Sequence, residues 1–376
     1  MAGIYIHIPF CKRACHYCNF HFSTTRTHEN EIREALLKEV SLQSAYLGKE
    51  PVRTIYFGGG TPSLMPDLFL KEMLSAIRAN FQVDPDPEIT LEANPDDIQP
   101  GTVESWVALG INRLSIGVQS FFDADLEWMN RAHNAGMAED AIRMAQQAGI
   151  RNISIDLIYG GPTLPDENWI ANLEKAAQLE VPHLSCYALT VEPSTALDLM
   201  ILKGKKEAVD PDRQARHFEL LQSKAPEFGF EHYEISNLAK PGFRSKHNTA
   251  YWQGVPYLGI GPSAHSFNGK SRQWNVANNA LYLTSIQSGT VPFEEEILTK
   301  ANRLNEYIMT SLRTMEGLSL ERYAAIAGTT AVQELLKATA PHIANGNAIL
   351  TQTHIRITEK GRFLADGIAS DLFVEE

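Results

Sequence analysis

The chain has 376 residues, 44% of them hydrophobic and 21% charged, with a formal net charge of −12. That length buries one large core with a smaller one beside it, and the two fractions are ordinary for a globular protein. The acidic balance argues against general nucleic-acid binding, which calls for a basic surface, and no segment approaches the ~20 apolar residues of a membrane span.

Short β-rich runs recur at residues 4–8, 53–57, 88–92, 113–118, 152–158 and 183–189, separated by longer stretches with helical spacing. Residues 31–47 repeat apolar positions at Ile32, Leu36, Leu37, Val40 and Leu47, and residues 138–148 end at Gly149, where a left-handed cap fits. Six strands alternating with helices predict an α/β fold with a parallel sheet, closed fully or partly into a barrel. In such a barrel the C-terminal strand ends form the functional rim, and Glu92, Gln119, Asp156 and Thr190 all fall there. Beyond about residue 195 the rhythm changes. Residues 212–228 read as helix, 231–236 as extended, and 240–267 as loop rich in glycine, proline and aromatics. Residues 303–315, 318–326, 332–344 and 359–366 read as helices, with short strands near 348–351 and 354–358. The expected division is a barrel over 1–195, an extension over 196–299 and a winged-helix-like α+β unit over 300–376. Winged helices often bind DNA, but the acidic chain favours a packing or lid role.

Chemistry concentrates just after the first strand, where Cys11, Cys15 and Cys18 form C-x3-C-x2-C. Clustered thiolates repel unless a cation holds them, and soft sulfur selects zinc, copper(I) or iron–sulfur clusters. A [4Fe–4S] cube ordinarily takes four cysteines, so three leave one iron open. His16 or His21 would instead complete a Cys3His zinc site. The fourth cysteine, Cys186, lies in a strand and reads as a small buried hydrophobe. With no disulfide framework and no export signal at the N-terminus, the chain reads as cytoplasmic, and peripheral contact with a membrane is left open. The second strand runs into Gly58-Gly59-Gly60-Thr61-Pro62, which lacks the lysine of a phosphate loop and the G-x-G-x-x-G of a dinucleotide site. A small amino-acid-like ligand fits better. Arg131 offers a fork to a carboxylate, and Glu92, Gln119 and Asp156 offer acceptors for an ammonium or ribose.

Together these stretches resemble the radical S-adenosylmethionine superfamily. The segments around Tyr5–Cys11, Leu91-Glu92-Ala93-Asn94-Pro95, Gly117-Val118-Gln119-Ser120, Arg131-Ala132-His133 and Asp156–Pro162 are similar to its oxygen-independent coproporphyrinogen oxidase-like subgroup. That resemblance implies a partial (β/α)6 barrel in which Cys11, Cys15 and Cys18 hold a [4Fe–4S] cluster. It further implies S-adenosylmethionine contacts at Tyr5, Gly59, Gly60, Thr61, Glu92, Gln119, Arg131 and Asp156, with Tyr17 beside the cluster. In the family, one electron from the cluster splits the cofactor's carbon–sulfur bond. The coproporphyrinogen-oxidising members carry a further cysteine where this chain has Phe20, and they place a longer arm before the first strand. Both departures resemble the HemW-type heme-chaperone branch. So does His247-Asn248-Thr249-Ala250-Tyr251-Trp252, which matches that branch's HNxxYW heme-binding motif and implies His247 as a heme ligand. The partners this implies are heme or porphyrin, heme-accepting proteins and a cellular reductant. The alternative that the subgroup carries is radical decarboxylation of coproporphyrinogen III. His265 is left unassigned by the sequence.

Overall fold

A computed structural model describes residues 1–375. Six parallel strands, β1 (Ala2–Ile8), β2 (Val52–Gly59), β3 (Val83–Ala93), β4 (Arg113–Gln119), β5 (Asn152–Tyr159) and β6 (His183–Ala188), pair in chain order. Between them lie α1 (Glu29–Leu42), α2 (Asp67–Asn80), α3 (Thr102–Ala108), α4 (Asp123–Trp128), α5 (Ala135–Gln147) and α6 (Asp166–Gln178). The strands alternate. Outward positions such as Ile55, Phe57, Leu91, Ile116, Ile155 and Leu184 are apolar, buried, and belong to the main core. Each such side chain contributes roughly 1.5–3 kcal/mol of hydrophobic stabilisation. The intervening positions, Thr54, Glu88, Thr90, Arg113, Ser154 and His183, are polar yet equally buried. The helices pack on the apolar face, and the polar face, with Tyr56, Glu92, Ser115, Asp156 and Ser185, lines the inside of the half-barrel.

The barrel does not close. After α7 (Ala196–Leu202) and α8 (Pro211–Lys224), the hairpin of β7 (Glu231–His232) and β8 (Asn237–Ala239) adds antiparallel to β6. The stretch expected as loop contains α9 (Lys246–Trp252) and β9 (Tyr257–Ile260), and β9 pairs parallel with the free edge of β1. Then β10 (His265–Phe267), β11 (Ser271–Asn275), α10 (Asn279–Gln287) and β12 (Phe293–Ile297) extend that edge to a sheet of twelve strands. Buried Glu39 of α1 pins this extension. It accepts from Tyr282 Oη at 2.6 Å, Asn275 Nδ2 at 2.6 Å and Gly261 N at 2.7 Å. As expected, Gly149 ends α5 with φ of 96°.

The remaining chain forms α11 (Lys300–Leu312), β13 (Leu318–Ser319), α12 (Leu320–Ala327), α13 (Thr329–Ala344), β14 (Ala348–Leu350), β15 (His354–Ile357) and α14 (Ala365–Asp371). Its three-stranded sheet, β13-β15-β14, and its own core around Leu304, Ile308, Tyr323 and Ile355 give the α+β, winged-helix-like arrangement. The last helix starts later than its hydrophobic pattern suggests, because Arg362–Leu364 forms a single 3-10 turn first. Among the described residues no helix is long and apolar enough to cross a membrane.

Candidate functional site

The cysteine loop joins β1 to α1 and is held at both ends. Cys11 N donates to Ser23 O at 3.0 Å, Asn130 Nδ2 donates to Ala14 O at 2.8 Å, and Arg13 Nη1 donates to Arg131 O at 2.9 Å. The three thiols are half-buried and free of disulfides. They open into one cavity of about 420 Å³ at the C-terminal ends of the barrel strands. The same cavity is lined by Tyr17, Gly59, Gly60, Thr61, Glu92, Gln119, Arg131 and Asp156. It therefore gathers eleven of the thirteen residues expected to hold the cluster, S-adenosylmethionine or heme, with Thr190 beside them.

Each strand end delivers its group by a local device. Gly60 lies so close to the cysteine loop that a Cβ there would sit 2.5 Å from Phe10 O, so only glycine allows the approach. Both N–H groups of the turn are engaged, Gly59 with Glu92 Oε2 at 3.0 Å and Gly60 with Ile8 O at 2.8 Å. What the turn can offer a ligand is carbonyl oxygen. Gln119 ends β4 at φ 67°, a left-handed backbone that costs about 1–3 kcal/mol for a non-glycine residue and gathers at functional sites. Gly117 makes room for the Arg131 guanidinium, whose Nη2 donates to Gly117 O at 2.8 Å and Asn94 Oδ1 at 2.6 Å. Its Nη1 lies 3.3 Å from Cys15 Sγ, while its Nε has no partner among the described residues.

Burial dominates the electrostatics of this cavity. Burial pushes the Cys11 thiol up to about 11, with Cys18 and Cys15 adding to the rise. Burial raises Cys18 as well. Glu92 is lifted to about 7 by burial, despite the hydrogen bond from Tyr56 Oη at 2.8 Å. Asp156 is lifted to about 6 by burial, against the pull of Ser185, Arg113 and Arg131. Burial opposes the charge of Arg131, yet Tyr17 and Cys15 keep it firmly protonated. A cationic cluster core would draw the thiols into thiolates, and an ammonium or ribose would restore the carboxylates.

Three soft ligands from one loop beside an arginine and two buried carboxylates fit a [4Fe–4S] cluster with S-adenosylmethionine. They fit a single zinc ion poorly. Among the described residues no three His, Cys, Asp or Glu groups converge on one metal position, whereas a cube takes one thiolate per iron. The histidines that would complete a zinc site are engaged elsewhere, His16 Nδ1 at 3.2 Å from Trp128 O and His21 Nε2 at 2.7 Å from Asn279 Oδ1.

Two expected residues lie outside the cavity. Tyr5 is behind the glycine turn, stacked on Tyr56 with centroids 6.0 Å apart, and faces a neighbouring cleft. His247 is 2% exposed. Its Nδ1 is 2.7 Å from Thr54 Oγ1, its Nε2 is 2.8 Å from Tyr251 Oη, and its ring stacks on Tyr56 at 4.9 Å. Burial pushes it down to about 3. Glu88 caps the same helix by accepting from Lys246 N and His247 N at 3.1 and 3.0 Å. So α9 sits in the open side of the barrel, with Asn248 on the cluster cavity and Tyr251 and Trp252 on the neighbouring cleft. In this conformation an iron reaches His247 only if Tyr251 releases it. Residues not singled out from the sequence, Tyr56, Asn94, Ser115, Ser185 and Tyr187, also line the cluster cavity. Their signal was the two-residue alternation of polar groups along β2 to β6.

Known proteins agree with this arrangement. The radical SAM superfamily model matches residues 5–176, and the HemN C-terminal domain model matches residues 298–364. A heme chaperone HemW of Mycobacterium tuberculosis is 34% identical over 98% of this chain and 94% of its own length. That of Bacillus subtilis is 32% identical over 98% of both chains. The solved structure of coproporphyrinogen III oxidase (HemN) from Escherichia coli superposes with a TM-score of 0.86 at 23% identity, covering 99% of this chain and 90% of that one. That likeness establishes the fold, whereas the end-to-end sequence identity reaches further: the chain belongs to the HemW heme-chaperone family of the radical SAM superfamily.

Proposed function

We propose that this chain binds heme and passes it to acceptor proteins, with Cys11, Cys15 and Cys18 holding a [4Fe–4S] cluster and the adjoining cavity holding S-adenosylmethionine. The observation that carries the heme role is the end-to-end identity to curated heme chaperones. Phe20, where the coproporphyrinogen-oxidising members have a cysteine, supports it. When bound, the cluster supplies one-electron chemistry and an open iron for the cofactor's amine and carboxylate. The chain's own groups hold the rest. Gly59 and Gly60 offer carbonyl oxygens to the ammonium, Glu92 and Asp156 accept from ammonium or ribose hydroxyls, and Arg131 balances the negative charge of thiolates and carboxylate. Thr61, Gln119 and Tyr17 close the cavity walls, and Tyr5 supports the glycine turn through Tyr56. The reading has the chain working in a reducing cytoplasm with a cellular reductant, in line with four cysteines free of disulfides.

The test uses chain reconstituted anaerobically with iron and sulfide. One sample receives hemin, and a second receives coproporphyrinogen III, S-adenosylmethionine and dithionite. The proposal expects stoichiometric heme binding and no protoporphyrinogen. Turnover at the rate of cofactor cleavage overturns it in favour of the oxidase.

A further inference from the structure

The loop that carries the three cysteines is backed by α7. Leu197 N donates to His16 O at 2.8 Å, and His16 N donates to Met129 O at 3.2 Å. At that contact Leu197 packs with Leu126, Met129 and Leu189, with Tyr17 and Trp128 alongside. Lys206 returns to the loop from beyond α7. It donates to Trp128 O, and its Nζ lies 4.1 Å from the centroid of the Trp128 ring. His16 Nδ1 lies 3.2 Å from the same carbonyl. Residues 197–206 therefore meet the loop at the position next to Cys15.

The surface of this segment runs against the charge of the chain. Residues 199–207 carry Lys203, Lys205 and Lys206 against one carboxylate, Glu207, in a protein of net charge −12. Lys203 and Lys205 are exposed, and among the described residues the lysine ion pairs are those of Lys12, Lys175 and Lys224. The backbone under the two free lysines is fixed: α7 ends in a turn through Gly204 at φ 66°, closed by Lys205 N donating to Met200 O at 2.8 Å. Leu199 and Leu202, three positions apart and so on one face of α7, are 46% and 75% exposed. Exposed apolar side chains beside unpaired cations have the make-up of a docking face.

The place of this face and its charge select the occupant. A cluster on the loop takes its electron from outside the chain, and electron transfer weakens steeply with distance, so a donor has to dock close to the loop. An acidic donor is repelled by a chain of net charge −12 except where the local sign is reversed. A second copy of the chain on the same face would oppose lysine to lysine. An anionic membrane would find only two exposed apolar side chains on a helix of seven residues, little to bury in lipid.

We infer that Leu199, Leu202, Lys203 and Lys205 form the docking face for a small acidic one-electron carrier protein that reduces the cluster. The inference rests on the cluster reading above and gives the side from which the electron enters. The carrier loses one electron and the cluster gains it. When the carrier is a flavin hydroquinone anion, it is left as the neutral semiquinone, and no proton passes to the chain.

The test uses the full, cluster-loaded chain with purified flavodoxin as the acidic carrier. Calorimetry reads binding of oxidised flavodoxin, and stopped flow reads cluster reduction by its hydroquinone. For the wild type both should weaken as ionic strength rises from about 0.01 M to about 0.15 M. Expected for Lys203→Glu with Lys205→Glu is a loss of about tenfold or more in affinity and rate at the lower salt, with the salt dependence flattened. Cluster content and reduction by photogenerated deazaflavin radical, a small uncharged reductant, should stay at wild-type values. Leu202→Ser should weaken binding while keeping its salt dependence. Equal affinity and rate in the charge-reversed and wild-type chains overturn the inference and leave the cluster reading standing. Slowing shared by the deazaflavin radical also overturns it, because the loop itself would then be damaged. Wild-type capture by phosphatidylcholine–phosphatidylglycerol vesicles, lost on charge reversal while flavodoxin reduction is untouched, overturns it in favour of a membrane. A wild-type chain that takes up no cluster overturns both readings.

Discussion

Replacing His247 by alanine should damage the fold before it touches any ligand. Among the described residues the imidazole is the only partner of the Thr54 hydroxyl, which is itself buried, and it also holds Tyr251 Oη. Each buried hydroxyl left without a partner costs about 1–3 kcal/mol. The void left against Tyr56 adds roughly 1 kcal/mol. The sum, about 3–7 kcal/mol, is a large fraction of the ~5–15 kcal/mol that holds a typical domain together. Urea unfolding of the full chain, followed by tryptophan fluorescence, measures it through the shift in midpoint at constant slope. An unchanged midpoint would refute the reasoning, because neither hydroxyl would then depend on the imidazole.

Glu39 predicts a pH dependence. Burial raises its folded pKa from 4.5 to about 7, so its stabilising contribution is full below about 4.5 and is lost as pH rises through about 7. The change is on the order of 3 kcal/mol, read as the stability difference between wild type and Glu39→Gln across that window, and a constant difference would contradict it. Gly60→Ala must displace the backbone at Phe10 and Ile8, so the reconstituted protein should lose about tenfold or more in S-adenosylmethionine affinity by calorimetry. Unaltered affinity would show that the turn has slack. Arg131→Met removes the cation beside Cys15 and should cost roughly tenfold to a hundredfold in the same titration. Arg131→Lys should recover little of that, because it lacks the planar fork that serves Asn94 and Gly117 together. Full recovery by lysine would reduce the arginine to a point charge.

Much of the site was legible because its parts are local. The cysteine spacing, the glycine turn and the polar residues at strand ends all sit within a few positions of an element boundary, and the barrel places every such boundary on one rim. What stayed hidden depends on distant partners. The burial of His247 against Thr54, 193 positions away, could not be read from its own segment. Strand β9 is four residues long and contains a glycine, so nothing in its own sequence announces a partner at the chain's start. The polar lumen escaped notice for a related reason. Parallel strands covered by helices on both faces are expected to be apolar throughout, but this half-barrel covers only the outer face and fills the inner one with α9 and the site.

The claim on which the account turns is that three cysteines of one loop leave an iron open to S-adenosylmethionine inside the rim cavity. Electron–nuclear double resonance on the reduced, reconstituted chain with cofactor labelled by nitrogen-15 at its amine and oxygen-17 at its carboxylate measures this directly. The account predicts resolved couplings from both labels to the cluster, lost in Cys15→Ala. One zinc per chain without sulfide, or a reduced cluster with no coupling to either label, would contradict it.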